Sequence, residues 1–305
     1  MMMPGAVANE PPATTASVTA VIRDYVALTK PRVTWLIVLS TAVGYFLAAT
    51  RFGWTAANFL HCLMGTALLA SGTAALNQWY ERDADAKMHR TQMRPIPAGL
   101  VPAGYAFAFG LALIVLGSLE LWLGDNRLTA LLGLFTTFSY LFLYTPLKQI
   151  SPHSTTVGAI PGAMPPLIGY AASAGLVNTE AMLLFAILFL WQFPHFYAIA
   201  WMYREDYERA GIRMLPVVEP DGASTASRIF WLSLALVPLS LLPGLFGYTG
   251  PIYLVGAQIA GFGFAFFCSR VLEERSRQRA RQVLLTSVIY LPVLYAFLVA
   301  DRAIR

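Results

Sequence analysis

Nine stretches of about twenty mostly apolar residues, divided by short connectors, constrain this chain more than any other feature. They lie near 33–50, 56–79, 103–123, 127–145, 155–175, 180–202, 228–248, 251–268 and 282–300. A helix rises about 1.5 Å per residue, so about twenty residues cross the roughly 30 Å hydrocarbon core of a bilayer. Inside lipid every backbone N–H and C=O needs a partner, which a helix supplies within its own segment. The chain is therefore read as all-α, a polytopic membrane bundle of about nine transmembrane helices around a central cavity. Composition agrees, with 57% apolar and 12% charged residues, against roughly 45–50% and about 25% in soluble domains.

Orientation follows from Lys and Arg, which short cytoplasmic loops retain. With the N-terminus inside, seventeen of the 21 fall on the cytoplasmic side and only Arg51, Arg127, Arg302 and Arg305 on the other. The net charge of +5 is thus mostly a topology signal and calls for no nucleic-acid partner. Basic loops also suit membrane lipid and an anionic substrate. The Arg-rich run from Arg275 to Arg281 is read this way, without catalysis. Residues 1–27 begin without an apolar core of signal-peptide length and read as a disordered cytoplasmic tail of a bacterial inner-membrane protein. Cys62 and Cys268 fit neither a zinc site nor a redox pair and read as apolar filler.

Residues 28–305 form a single transmembrane domain. Its longest loops, about 80–102 and 203–227, follow the second and sixth spans. That offset, with Tyr80-Glu81-Arg82-Asp83 before Arg94-Pro95 and Tyr203-Arg204-Glu205-Asp206 before Arg213-Met214-Leu215-Pro216, raises a pseudo-repeat of helices 1–4 and 5–8, plus helix 9. Two facing copies would build one shared pocket.

Asn77, Glu81 and Asp85 recur every four residues where the second apolar run ends. On a helix they span an arc of about 80° over about 12 Å, so an amide and two carboxylates converge on one side. Mg²⁺ binds through one or two carboxylates plus substrate phosphates; Glu81 and Asp85 fit that need, and Asn77 adds a neutral oxygen. Arg90 and Arg94 follow and can clamp phosphate oxygens as a diphosphate leaves, with Lys87 adding a point charge. Asp83 points away from the row and is expected to pair with a base. Most charged loops are solvated connectors, but an acid near lipid is costly, and the common register of the three groups favours a metal or phosphate site.

The string from Asn77 to Arg94 resembles the first aspartate-rich motif of the membrane prenyltransferases, the superfamily that includes 4-hydroxybenzoate polyprenyltransferase. More narrowly, the chain resembles the protoheme IX farnesyltransferase branch. Leu28-Thr29-Lys30-Pro31-Arg32-Val33-Thr34 is similar to the start of that branch's first span, and Asp85-Ala86-Lys87-Met88-His89-Arg90-Thr91 to its Asp-x-Lys-Met-x-Arg-Thr. Tyr144-Thr145-Pro146-Leu147-Lys148 resembles its loop after the fourth span. Trp191-Gln192-Phe193-Pro194-His195-Phe196, with Arg204-Glu205-Asp206-Tyr207 and Met214-Leu215-Pro216, resembles its sixth span and second acidic loop.

The resemblance implies transfer of the farnesyl group of farnesyl diphosphate to a vinyl group of haem b, giving haem O, through Mg²⁺-dependent allylic-cation chemistry. Asn77, Glu81, Asp85, Arg90 and Arg94 would then be catalytic, and Asn77, Glu81, Asp85 and Asp206 would hold metal. Lys87, Lys148, Arg32, His195, Tyr203, Arg204, Asp206 and Arg213 would bind substrate. The implied partners are farnesyl diphosphate, haem b, membrane lipid, and a downstream haem-modifying enzyme or terminal oxidase assembly. Where many relatives carry aspartates four apart, this chain has Tyr203 and Tyr207, leaving Glu205 and Asp206 as the acids for a second ion. Gln149 stands where a base often follows Lys148, and Glu81 replaces a common aspartate.

Two readings of His195 stand open: contact with the porphyrin, or a neutral side chain bonded to a neighbouring helix. Its spacing of eleven residues from Asp206, about three turns, puts both on one face of a continuous helix. His61 and His153 read as interfacial anchors and His89 as a loop residue. Gly158 and Gly162 are expected to let helices approach, and Pro161, Pro165 and Pro166 to kink the fifth span. Two other functions fit parts of the sequence: prenyl transfer to an aromatic acid or quinone precursor, and a membrane transporter. A carrier would gather its polar groups near the bilayer midplane, whereas these acids gather at one face.

Overall fold

The computed structural model describes residues 17–304. Helix follows helix: α1 (Val18–Leu28), α2 (Pro31–Phe52), α3 (Ala56–Asp85), α4 (Ala103–Gly124), α5 (Arg127–Phe138), a π-helical segment (Ser139–Tyr144), α6 (Thr145–Ile150), α7 (Ser154–Ala174), α8 (Thr179–Met202), α9 (Arg204–Arg209), α10 (Leu215–Val218), α11 (Ala223–Leu245), α12 (Pro251–Glu273) and α13 (Arg277–Ile304). Among the described residues, eight helices are long and apolar enough to cross a membrane, counting Arg127–Ile150 as one. The ninth long helix, α7, coincides with the fifth expected span but falls short of them in apolarity. Fifteen of its 21 residues are buried, so neighbouring helices rather than lipid surround it.

The α2/α7 contact works because side chains are missing from it. A Cβ at Gly169 would lie 1.9 Å from the carbonyl oxygen of Thr41, and one at Gly44 would lie 2.0 Å from that of Pro166. Small residues permit such backbone approach between membrane helices. The Gly158/Gly162 expectation also holds, since Cβ atoms there would strike the Tyr144 ring and the Gln192 amide. Helix α7 runs unbroken through Pro161, Pro165 and Pro166.

Two expectations are corrected. The tail read as disordered to residue 27 forms α1 from Val18 onward; Ser17 caps its start, Tyr25 packs edge-on against Phe109 at 5.1 Å, and Leu28 is fully buried. The apolar side chains of this short segment find a docking surface on α3 and α4 that the local sequence does not reveal. The remainder of that tail, residues 1–16, lies outside the described residues. The helix carrying His195 is not continuous to Asp206 either: α8 ends at Met202, and Tyr203 departs from helical geometry with φ −117° and ψ 22°, so the two residues do not share one face.

Three local features position the mouth of the bundle. At about 45 Å, the 30-residue α3 is longer than the roughly 30 Å apolar core, so its last turns reach the membrane edge. In the fourth span, Pro146 lacks an N–H and crowds the carbonyl four residues back; the preceding turns widen into the π-helical segment, and Thr145 Oγ1 donates to Tyr140 O at 2.8 Å. Finally, Pro31 disfavours right-handed helical geometry at Lys30. Lys30 adopts φ 47° and is the only non-glycine residue with positive φ among those described.

Candidate active site

Asn77, Glu81 and Asp85 lie on the last turns of α3 with exposures of 1%, 8% and 0%. Their neighbours come from elsewhere in the chain. Lys30 Nζ donates to Asn77 Oδ1 at 2.9 Å, Lys148 Nζ to Glu81 Oε1 at 2.7 Å, and Arg94 Nη1 to Asp85 Oδ2 at 2.7 Å. The Thr145 hydroxyl already donates to Tyr140, so it accepts from Asn77 Nδ2 at 3.3 Å. This fixes the amide with its oxygen toward Lys30. Lys148 also lies 4.4 Å from the centre of the Tyr144 ring, a favourable seat for a cation. Burial, reinforced by Arg94, pushes the Lys30 ammonium down from its ordinary 10.5 to about 7.

Below this polar rim lies a cavity of about 130 Å³, roughly ten times what a single water needs. Lys30 and Tyr140 line it together with Val33, Ile37, Leu69 and Ile168. An apolar chamber thus opens directly beneath a cluster of charged groups, the arrangement an amphiphile with an anionic head requires.

The second acidic loop is built differently. Asp206, 8% exposed, accepts from the backbone N–H groups of His89 and Arg90 at 3.3 Å each and pairs with Arg209. Arg90, exposed itself, stacks 4.7 Å from the Tyr203 ring centre and donates to Tyr207 Oη at 3.3 Å. The two tyrosines therefore hold a cation where carboxylates were sought. Glu205 is 77% exposed beside Arg204, which lies against the Trp201 ring at 4.7 Å. The backbone N–H of Arg213 donates to Lys148 O at 2.8 Å, tying this loop to α6.

Other expected residues stand apart. Lys87 and Arg32 are exposed. Asp83, 85% exposed, faces Arg82 at 3.8 Å, as its direction on the helix required. His195 does not line the cavity; its Nδ1 meets Ser287 Oγ at 2.7 Å and its ring stacks on Trp191. The Ser287 hydroxyl donates to Leu284 O, so the network assigns the proton to His195 Nδ1. His195 thus bonds to a neighbouring helix, α13, as one of its two readings expects.

The donors suit a hard cation in one place. Among the described residues no three His, Cys, Asp or Glu side chains gather as a metal cluster, and Asp206 is occupied by amides and Arg209. Asp85 Oδ1, however, is buried with no partner, an arrangement that is costly unless something else satisfies it. With Glu81 and Asn77 beside it, it offers the one or two carboxylates that Mg²⁺ uses alongside phosphate oxygens.

Lys30 and Thr145 were absent from the site expected from sequence. The signal for Lys30 was there: a lysine followed by proline at the mouth of a span cannot simply continue a helix. Nothing local marks Thr145, whose role depends on the π-helical turn and on α3.

The UbiA prenyltransferase family matches this chain over residues 37–291. The protoheme IX farnesyltransferase of Solibacter usitatus is 57% identical over 289 residues, covering 92% of this chain and 99% of that protein. That of Koribacter versatilis is 46% identical, covering 94% and 96%. Among solved structures, one of digeranylgeranylglyceryl phosphate synthase superposes with a TM-score of 0.78 at 18% identity, over 93% of this chain and 99% of that one. A UbiA homolog from Archaeoglobus fulgidus bound to GPP and Mg²⁺ gives 0.64 at 16%, over 90% and 99%.

Proposed function

The chain belongs to the UbiA prenyltransferase family, with its closely similar relatives in the protoheme IX farnesyltransferase branch, and from that premise we propose that it transfers the farnesyl group of farnesyl diphosphate to a vinyl group of haem b. The observation that carries the reading is the buried row of Asn77, Glu81 and Asp85, each held by a cation, at the mouth of an apolar cavity.

The apolar cavity takes the farnesyl tail, and the rim takes the diphosphate. Asn77, Glu81 and Asp85 would hold Mg²⁺, which when bound supplies positive charge against the diphosphate. Arg94 and Lys148, already oriented by Asp85 and Glu81, present further N–H donors to its oxygens. Their charge favours heterolysis of the C1–O bond, in which the electron pair leaves with the diphosphate and an allylic cation remains. The terminal vinyl carbon of haem b attacks that cation, which moves the positive charge to the carbon beside the ring; water adds there and releases one proton to solvent, leaving the hydroxyethylfarnesyl group. The apolar lining limits water around the cation until the acceptor is in place.

The distribution of Lys and Arg supports a bacterial inner-membrane setting with the N-terminus and this rim on the cytoplasmic side. Purified protein supplied with farnesyl diphosphate, haem b and Mg²⁺ is expected to yield farnesylated haem, detected by mass spectrometry. Failure to form it in a folded sample that binds both substrates would falsify the reading.

A further inference from the structure

We propose that Lys30 is a catalytic residue of the prenyl transfer, whose ammonium donates to the oxygen of the diphosphate that departs from C1. The inference rests on the prenyl-transfer reading above and adds to it a residue and a contact.

Three independent features of the structure converge on Lys30. Its position comes first: it lines the apolar cavity and also touches the row at its deepest member, Asn77. An allylic diphosphate has one point where tail meets head, the C1–O bond. Lys30 stands at the matching junction of the protein, while Lys148 and Arg94 serve Glu81 and Asp85 further out along α3.

Its bonding is the second feature. An ammonium has three N–H donors, and the structure uses one of them, on the neutral oxygen of Asn77. Lys148 and Arg94 each have a carboxylate at 2.7 Å, whereas no carboxylate lies within 4 Å of Lys30 among the described residues. Two donors therefore remain for a ligand, and the carboxylates of Glu81 and Asp85 act on the charge only from a distance. Asn77 cannot turn away, because Thr145 holds its amide nitrogen.

The third feature is backbone strain. Lys30 is held in the left-handed region at the entry to α2, and a non-glycine residue there persists only where its surroundings over-determine it. A topology signal would need no such conformation, since a lysine serves that purpose from any exposed loop position.

In the step assigned to it, the C1–O bond breaks heterolytically, the electron pair goes to the bridging oxygen, and a Lys30 N–H hydrogen-bonds that oxygen as its charge grows. Inorganic diphosphate leaves as the anion and the ammonium keeps its proton. No oxidant, reductant or further reactant enters.

Lys30→Met and Lys30→Arg variants in lipid nanodiscs, compared with the wild-type protein, test this. Calorimetry with inorganic pyrophosphate and Mg²⁺ is expected to show binding weakened about tenfold or more in Lys30→Met, the worth of one charge-assisted hydrogen bond. Turnover should fall further than affinity, with most of both retained by Lys30→Arg. A Lys30→Gly variant guards against misfolding: it relieves the strained φ, so it should melt at or above the wild-type temperature while losing pyrophosphate affinity as Lys30→Met does. Wild-type affinity and turnover in folded Lys30→Met would overturn the proposal and leave prenyl transfer standing. Absence of pyrophosphate and prenyl diphosphate binding in the wild-type protein would overturn both.

Discussion

The ammonium of Lys148 lies 2.7 Å from a carboxylate oxygen of Glu81, joining α6, the end of the fourth span, to the last turns of the second. The side chains are 14% and 9% exposed, and removing one partner from so buried a pair leaves an uncompensated charge that costs about 3 kcal/mol. Glu81→Ala and Lys148→Ala should each lower the melting temperature and reduce turnover at least a hundredfold. The exchange Glu81→Lys with Lys148→Glu should recover most of the stability and none of the activity, because the row then presents an ammonium in place of an oxygen. Activity recovered by the exchange would show that the pair matters only as a brace.

Asp85 and Asp83 are two residues apart and offer a sharper contrast. Asp85 is wholly buried and bound to Arg94, whereas Asp83 is 85% exposed. Asp85→Ala and Asn77→Ala should abolish measurable farnesyl transfer while expression persists. Asp83→Ala should change stability by less than about 0.5 kcal/mol, as surface substitutions usually do, and leave turnover within about twofold. Equal damage from Asp83→Ala would refute the argument that one helical face carries the chemistry.

Dependence on a single metal ion is the outcome expected from the orphaned Asp85 oxygen and the occupied Asp206. Thorough chelation should stop turnover, and Mg²⁺ should restore it. Mn²⁺ titrated in the presence of pyrophosphate and followed by electron paramagnetic resonance should bind one ion per chain. Turnover that survives chelation would remove the metal from the chemistry; a second ion of equal affinity would mean that Asp206 gives up its present partners.

A pH-dependent stability is expected at the opposite end of the bundle. Asp125, between α4 and α5, has its carboxyl pushed up from 3.8 to about 7, chiefly by burial, with His61 opposing the shift and Glu120 adding to it. Between those values the folded protein holds a proton that the unfolded chain releases, so stability falls as pH rises from about 4 to about 7. Below that window both states are protonated and the effect is fully retained. Asp125→Asn mimics the neutral form and should flatten this part of a melting-temperature profile, while Asn58, 2.7 Å from the Asp125 carboxyl, still supplies a donor. A variant profile parallel to that of the wild-type protein would assign the slope to other groups.

Much of this molecule is legible from sequence because lipid enforces helix and punishes stray charge. The nine long helices among the described residues lie close to the nine apolar runs, and Asn77, Glu81 and Asp85 do share one side of α3. The fine structure is tertiary. Neither the π-helical turn before Pro146 nor the Thr145 contact with Asn77 follows from local propensity, since each depends on how α3 and the fourth span meet. Lys30 counts as a mark of orientation in a sequence where seventeen basic residues share one predicted side, and that abundance does not separate it, Lys148 or Arg94 as a residue that turns inward. In the sequence Tyr203 and Tyr207 stand only as missing acids; that they cradle Arg90 depends on folding the two acidic loops together.

Helix α7 carries a consequence for how the protein is made. Its polar first turn, three prolines and many small residues give it a weaker claim on lipid than its neighbours have, yet it occupies the middle of the bundle. Such a segment gains little by leaving the translocon alone. Its place becomes favourable when Gly44 and Gly169 let it lie against α2, which is synthesised earlier, and when α8 closes over it. Biogenesis of this chain is therefore expected to be cooperative: a ribosome-bound intermediate in which α7 but not α8 has cleared the exit tunnel should leave α7 uninserted, and one in which α8 has also emerged should carry it across.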